Sequence, residues 1–216
     1  MAIESTGTGV QSGLELRRLI LQSSRQLLLR DGYSSLSMRK IARAMGYSAT
    51  TIYLHFRSKD QLVHALISDG MELLESKLRP VLSDRSRSPL ESIRQVCMEY
   101  ASFGMGNPGY YEIMYVLHPE NLSVYPESRY REARSMIMDL SLLFKRGMQY
   151  GDVKRADPIL SANVLWSQIH GVISLYHAHR FDRQLNQDDL VEHAINAAVY
   201  ACASENFDVK RRRLEA

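Results

Sequence analysis

Residues Ser37 to Lys59 read SMRKIARAMGYSATTIYLHFRSK, a stretch whose reactive side chains are hydroxyls, an imidazole and cations rather than a nucleophile with its base. Ser37 stands just before an apolar pattern, Met38, Ile41, Ala42 and Met45, that steps by three and four and stops at Gly46, so it is read as a helix N-cap. Its hydroxyl and the unpaired N–H groups of that helix start suit an oxyanion, and Arg39 and Lys40 add positive charge. After the turn, Tyr47 precedes Ser48, which caps a second short helix from Ala49 to His55 or Phe56 that buries Ile52 and Phe56. The opening residues Ser48, Ala49, Thr50 and Thr51 are small or carry hydroxyls, which lets a helix lie close to base edges and thymine methyls. Tyr53, His55 and Lys59 can donate to phosphates. Helix, glycine turn and helix make a helix-turn-helix, in which the first helix crosses a nucleic-acid backbone and the second enters the major groove.

Rival chemistries lack their signatures. No Gly-x-Ser-x-Gly elbow, phosphate-binding loop or His-Glu-x-x-His appears, so no catalytic residue and no cofactor is expected. His177 and His179 are two apart and point to different faces of a helix, and Cys97 and Cys202 lack a ligand spacing, so no metal site is expected and both cysteines read as small core hydrophobes. The 216 residues are 45% hydrophobic and 24% charged, the composition of a globular protein. No run of eighteen apolar residues and no apolar signal core is present, so neither a membrane partner nor export is indicated and a cytoplasmic location is expected. The net charge of +3 is unevenly spread. Leu14 to His64 carries nine basic residues against Glu15, Asp31 and Asp60, whereas Ala65 to Glu205 is mildly acidic. A basic head on an acidic body fits a polyanion partner for the head alone, although an ordinary solvated surface gives the same count.

Helical periodicity runs through nearly the whole chain and no period-two strand stands out, so the fold class is all-α. Leu16, Leu19, Ile20, Ser23, Leu27 and Leu28 form the stripe of a first helix that Asp31-Gly32 ends. Ser58 caps a long fourth helix running to Pro80 or beyond, and Ser83 to Pro89 is a linker. Helices follow at Leu90–Gly104, Gly109–Leu117, Glu127–Tyr150, Pro158–His179 and Asp188–Ser204. The expected organisation is a flexible segment over 1–13, a three-helix helix-turn-helix DNA-binding domain over 14–64, a helical ligand-binding and dimerisation domain over 65–205 joined by the long helix, and a basic tail over 206–216.

Residues 14 to 64 resemble the DNA-binding domain of the TetR family of bacterial transcriptional regulators. The resemblance rests on Asp31-Gly32-Tyr33, Ser37-Met38-Arg39-Lys40-Ile41-Ala42, Gly46-Tyr47-Ser48, Thr51-Ile52-Tyr53 and His55-Phe56-x-Ser58-Lys59 at their combined spacing. Two positions depart from it: the family usually has glycine where Thr50 stands and a small apolar residue where Tyr47 stands. Farther on, Trp166-x-x-x-His170-Gly171 is similar to a Trp/His-Gly signature of one C-terminal subgroup. The resemblance implies a homodimer on palindromic operator DNA, acting as a repressor and released when a small molecule, the inducer, enters the C-terminal domain.

For that ligand the candidates are Tyr100, Phe103, Met105, Tyr110, Tyr111, Met114, Tyr115, Met138, Leu142, Trp166 and His170, apolar bulk with polar tips that suits a mainly hydrophobic molecule. The same residues equally read as core. For the dimer interface the last helix offers Ala194, Ala197, Ala198 and Ala201 at steps of three and four, and the helix before it Val164, Gln168, Val172 and Tyr176. The residues alone leave open a constitutive DNA-binding dimer without a ligand, and a helical carrier or enzyme.

Overall fold

The computed structural model describes residues 7–116, 127–205 and 207. The Lys210–Arg213 tail and residues 1–6 lie outside the described residues. Among the described residues the elements are α1 (Gly7–Ser35), α2 (Met38–Met45), α3 (Ala49–His55), α4 (Lys59–Ser83), α5 (Pro89–Gly106), α6 (Pro108–Tyr111) with a π-helical turn at Glu112–Val116, α7 (Glu127–Tyr150), α8 (Pro158–His177) and α9 (Gln187–Cys202). One isolated bridge pairs Val153 with Ala203. No helix of the described residues is long and apolar enough to cross a membrane.

The chain forms two compact units, one of residues 1–70 with 107–125 and one of residues 71–106 with 126–216. In the first, Ile20, Leu27 and Leu28 of α1 are buried with Ser24, whose hydroxyl donates to the Ile20 carbonyl at 2.7 Å. Leu19, assigned to that stripe from the sequence, is 38% exposed. Gly32, at φ 73°, breaks α1, and the chain turns so that the Leu36 N–H reaches the Tyr33 carbonyl at 3.0 Å. Ser37 then caps α2, and Gly46 ends it in the left-handed conformation at φ 72°. Ser48 accepts from the Thr51 N–H at 3.1 Å to start α3, which stops where the Phe56 N–H meets the Ile52 carbonyl. Ser58 accepts from the Gln61 N–H at 3.1 Å to start α4, and Gln61 in return accepts from the Arg57 N–H. Each boundary thus has a local cause written in the residues beside it.

This unit departs from the expected organisation in three ways. Helix α1 begins at Gly7, within the stretch read as flexible. The unit extends to Gly70 rather than His64. It also takes in α6 and the π-turn, which the sequence reading assigned to the C-terminal domain. Two glycines make that docking possible. A Cβ on Gly109 would lie 3.0 Å from the Leu28 carbonyl oxygen, and one on Gly70 would lie 2.8 Å from the Met114 sulfur and 3.0 Å from the Tyr110 ring. Tyr110 is fully buried there, its hydroxyl donating to the Asp69 carboxylate and the Arg25 guanidinium 5.2 Å above its ring.

In the second unit α5 packs against α7, α8 and α9, and α8 packs against α7 and α9. The buried faces, such as Ile93, Val96 and Cys97 of α5, Leu143 and Phe144 of α7, and Leu165 and Ile169 of α8, follow the three-and-four spacing of each helix. Arg94 of α5 donates to Asn196 at 2.7 Å and to Glu192 at 3.0 Å on α9. Asp157 caps α8 ahead of Pro158, and Asn186 caps α9 ahead of Asp188 and Asp189, the acidic residues that favour a helix N-terminus. Burial pushes the Cys97 thiol up to about 12, while Cys202 is half-buried.

Candidate nucleic-acid interface

The helix-turn-helix presents a continuous outward surface and a set of inward braces. Ile41, Ala42, Ile52 and Phe56 turn into the head. With those positions fixed, the helical repeat leaves Ser37, Arg39, Tyr47, Ser48, Thr50 and Tyr53 exposed. Ala49 and Thr51 are half-buried, and the Thr51 hydroxyl lies 2.9 Å from that of Ser48, so the start of α3 is a fixed arrangement of small groups. Exposed Arg43 and Arg57 add charge near the same helices. Such a surface can hydrogen-bond phosphates from its serine, tyrosine and arginine groups while α3 faces base edges.

Two of the cations read as phosphate contacts are tied inward. The Lys40 ammonium lies 2.7 Å from Asp31, whose carboxyl is held well below the usual carboxylate range by its hydrogen bonds with Arg30 and Lys40. The Lys59 ammonium donates to the Tyr33 carbonyl at 3.1 Å and lies 3.8 Å from the centre of the Tyr33 ring, and burial lowers its pKa. It thereby fastens the start of α4 to the end of α1. His55 is half-buried, and its carbonyl accepts from Arg17 at 2.8 Å. Arg17 also places its guanidinium 4.0 Å over the Phe56 ring, so it braces the end of α3 twice. Sequence reading passed over Arg17, because its partner His55 is 38 residues away and Phe56 one further. It also passed over Leu54, which stands one helical turn beyond Thr50 and is 80% exposed.

Residues 20–66 match the family model for the N-terminal domain of bacterial regulatory proteins of the tetR family, and residues 93–198 match the one for the tetracyclin repressor-like C-terminal domain. The chain belongs to the TetR family. The family is one of bacterial regulatory proteins, and the helix-turn-helix of α2 and α3 lies wholly within the stretch that matches its N-terminal model. It is similar to the nucleoid occlusion factor SlmA of Vibrio campbellii, with 33% identity over 45% of this chain and 50% of the relative. The chain spans about half the length of the curated relatives it first matches. It is 28% identical to the transcriptional repressor KstR2 of Mycolicibacterium smegmatis, over 56% of this chain and 60% of that one. Among solved structures, a protein of unknown function from Rhodococcus shares the fold with a TM-score of 0.74 at 22% identity, covering 88% of this chain and 95% of the other. The regulator AibR, solved with isovaleryl coenzyme A and operator DNA, shares it with a TM-score of 0.65 at 20% identity, covering 84% and 96%.

The residues proposed from the sequence for a ligand fall into separate places in this TetR-family chain. Tyr110, Tyr111 and Met114 belong to the head unit, where the two tyrosines are core. Met138 and Leu142 are 40% and 55% exposed, because α7 turns Leu140, Leu143 and Phe144 inward instead. Phe103 is fully buried in α5. Tyr100, Trp166 and His170 come together: the Tyr100 hydroxyl is 3.3 Å from His170 Nδ1, and the Trp166 and His170 rings stack at 5.0 Å. The interface candidates lie on the outward sides of α8 and α9. Val164, Gln168, Ala197 and Ala201 are exposed, and Val172, Tyr176, Ala194 and Ala198 are half-buried, while Ile169, Ile173, Val191 and Ile195 face the core.

Burial holds the His170 imidazole below its ordinary value near 6.5. The folded state therefore favours the neutral ring, and the unfolded chain takes up the proton first as pH falls. The resulting contribution to stability is present above about pH 6.5 and is lost below it as pH falls through the folded value. Thermal unfolding between pH 7.5 and 5.5 should show the second unit weakening, and His170→Gln should flatten that slope. An identical slope in the variant would assign the pH dependence to other groups.

Proposed function

We propose that this chain is a ligand-responsive repressor that acts in the cytoplasm as a homodimer on a palindromic operator and is released by a small, mainly hydrophobic molecule. The observation that carries this reading is the outward side of α8 and α9. Leu160, Val164, Leu175 and Tyr200 are each 48% to 63% exposed, and a Cβ at exposed Gly171 would meet nothing within 4 Å. An apolar surface with small residues at its middle suits close helix packing against a second copy. A dimer on a palindromic site of this kind reads half-sites about one turn of DNA, roughly 34 Å, apart. The cluster of Tyr100, Trp166 and His170 supports a ligand with aromatic or aliphatic bulk and one or two hydrogen-bonding groups. KstR2 is a transcriptional repressor and AibR was solved with isovaleryl coenzyme A and operator DNA, so a repressor role and a small-molecule ligand both have precedent among proteins similar to this chain.

Because the chain passes from the head to the second unit at Gly70 and returns to it at Asn107, a ligand favouring one arrangement of the second unit has a covalent route to the head. Coupling then follows from unequal ligand affinity for the DNA-competent and incompetent arrangements.

The test is a mobility-shift titration with DNA upstream of the gene, against scrambled competitor, at two salt concentrations, together with sedimentation equilibrium. A salt-sensitive, sequence-specific shift by a dimer is expected. Arg39→Ala should weaken binding to all sequences and reduce the slope of log affinity against log salt by about one. A monomer in sedimentation, or a shift that scrambled DNA competes equally, would sink the dimer or the specific-operator reading respectively.

A further inference from the structure

The recognition helix contains no residue of the kinds that read a base by paired hydrogen bonds. Guanine is read in the major groove by arginine or lysine, adenine by asparagine or glutamine, and cytosine by a carboxylate. Helix α3 reads Ala49-Thr50-Thr51-Ile52-Tyr53-Leu54-His55 and has none of these. Its exposed positions are Thr50, Tyr53 and Leu54. Leu54 is 80% exposed, more than any other large hydrophobic residue described in the protein. Ile52 is fully buried, and residues 50 and 54 both lie some 160° from it around the helix, so the Thr50 methyl and the Leu54 side chain share the face opposite the core. Leucine left in water on a short helix contributes nothing to folding, and on a DNA-binding surface it has one base feature to match: the C5 methyl of thymine, the sole apolar group in the major groove.

From this we infer that Leu54 is a specificity-determining residue that reads thymine by burying its C5 methyl, with the Thr50 methyl beside it. The inference rests on the assignment of α3 as the major-groove helix. It makes the half-site thymine-bearing at the position under Leu54. It also separates labour within the interface: Ser37, Arg39 and Tyr53 hold phosphates irrespective of sequence, and Leu54 selects.

The experiment begins with selection of binding sites from a random duplex library by the full-length protein, followed by fluorescence anisotropy on the selected duplex. Deoxyuridine then replaces thymidine at one position at a time, which removes the methyl and leaves every hydrogen-bonding group in place. For the wild-type protein, one position in the half-site should lose about fourfold in affinity, the worth of one buried methyl group. Leu54→Ala should bind the thymidine duplex more weakly and be indifferent to deoxyuridine at that position, while its thermal unfolding stays that of the wild type because the side chain is solvent-exposed. The inference is overturned if no deoxyuridine substitution weakens the wild type, if Leu54→Ala retains the same deoxyuridine penalty, or if the selected half-site carries no thymine. Failure of the wild type to select any sequence at all would instead strike at specific DNA binding, a separate outcome from these three.

Discussion

Replacing Phe56 by alanine is expected to destabilise the head unit by about 3 to 5 kcal/mol and to abolish specific DNA binding, while the second unit stays folded. Phe56 is fully buried at the point where α3 ends, and its own N–H closes the last hydrogen bond of that helix on Ile52. The ring is also the surface on which the Arg17 guanidinium rests at 4.0 Å while Arg17 holds the His55 carbonyl. Removing it therefore opens a cavity beneath α3 and takes away one of the two anchors of the arginine that braces it. Against a total stability of about 5 to 15 kcal/mol for an ordinary domain, a loss of this size leaves little in reserve. Phe56→Leu keeps most of the volume and should cost under about 2 kcal/mol. Hydrogen exchange resolved by segment is the measurement: α1 to α3 should lose protection in Phe56→Ala and α5, α8 and α9 should keep it. Unchanged protection in α3, with unchanged operator affinity, would show that the head tolerates the void.

How far the sequence reaches depends on whether the physics at a position is local. Ser37, Gly46, Ser48, Asp157 and Asn186 act within four residues of themselves, so the helices that they start or stop were legible from residue order. The all-α class and the helix-turn-helix followed from the same local signals. What was not legible are contacts that join distant residues. Lys59 and Arg39 look alike as cations near the same helices, yet Lys59 is engaged with the carbonyl and ring of Tyr33 and Arg39 is exposed. The aromatic residues Tyr110 and Tyr111 have the composition of a ligand wall, but they are core of the head, because the segment holding them folds back onto α1. Trp166 and His170 share a face four residues apart and could be paired from spacing; their meeting with Tyr100, seventy residues before His170, could not.

Gly109→Ala should destabilise the head by about 1 to 2 kcal/mol, and Gly106→Ala, three residues earlier in the chain, should not destabilise the protein at all. Alanine is the better helix former by up to about 1 kcal/mol, so propensity alone predicts that both changes stabilise. At Gly106 nothing lies within 4 Å of an added Cβ and propensity is unopposed. At Gly109 the new Cβ would stand 3.0 Å from the Leu28 carbonyl oxygen and 3.1 Å from its carbonyl carbon, both closer than ordinary van der Waals contact. Those atoms belong to the backbone of α1 beside a fully buried side chain, so they cannot rotate aside as the end of a methionine could. Overpacking of about 1 to 3 kcal/mol then outweighs the gain in propensity. The segment relieves the clash only by lifting, which pulls Tyr110 away from Asp69 and exposes its ring. Urea unfolding of the two variants side by side decides the point, since both add the same methyl group and only that on Gly109 meets backbone atoms. Equal midpoints for both would mean that α6 is not seated on α1 in solution, and the return of the chain from the second unit to the head would then lack its anchor on α1.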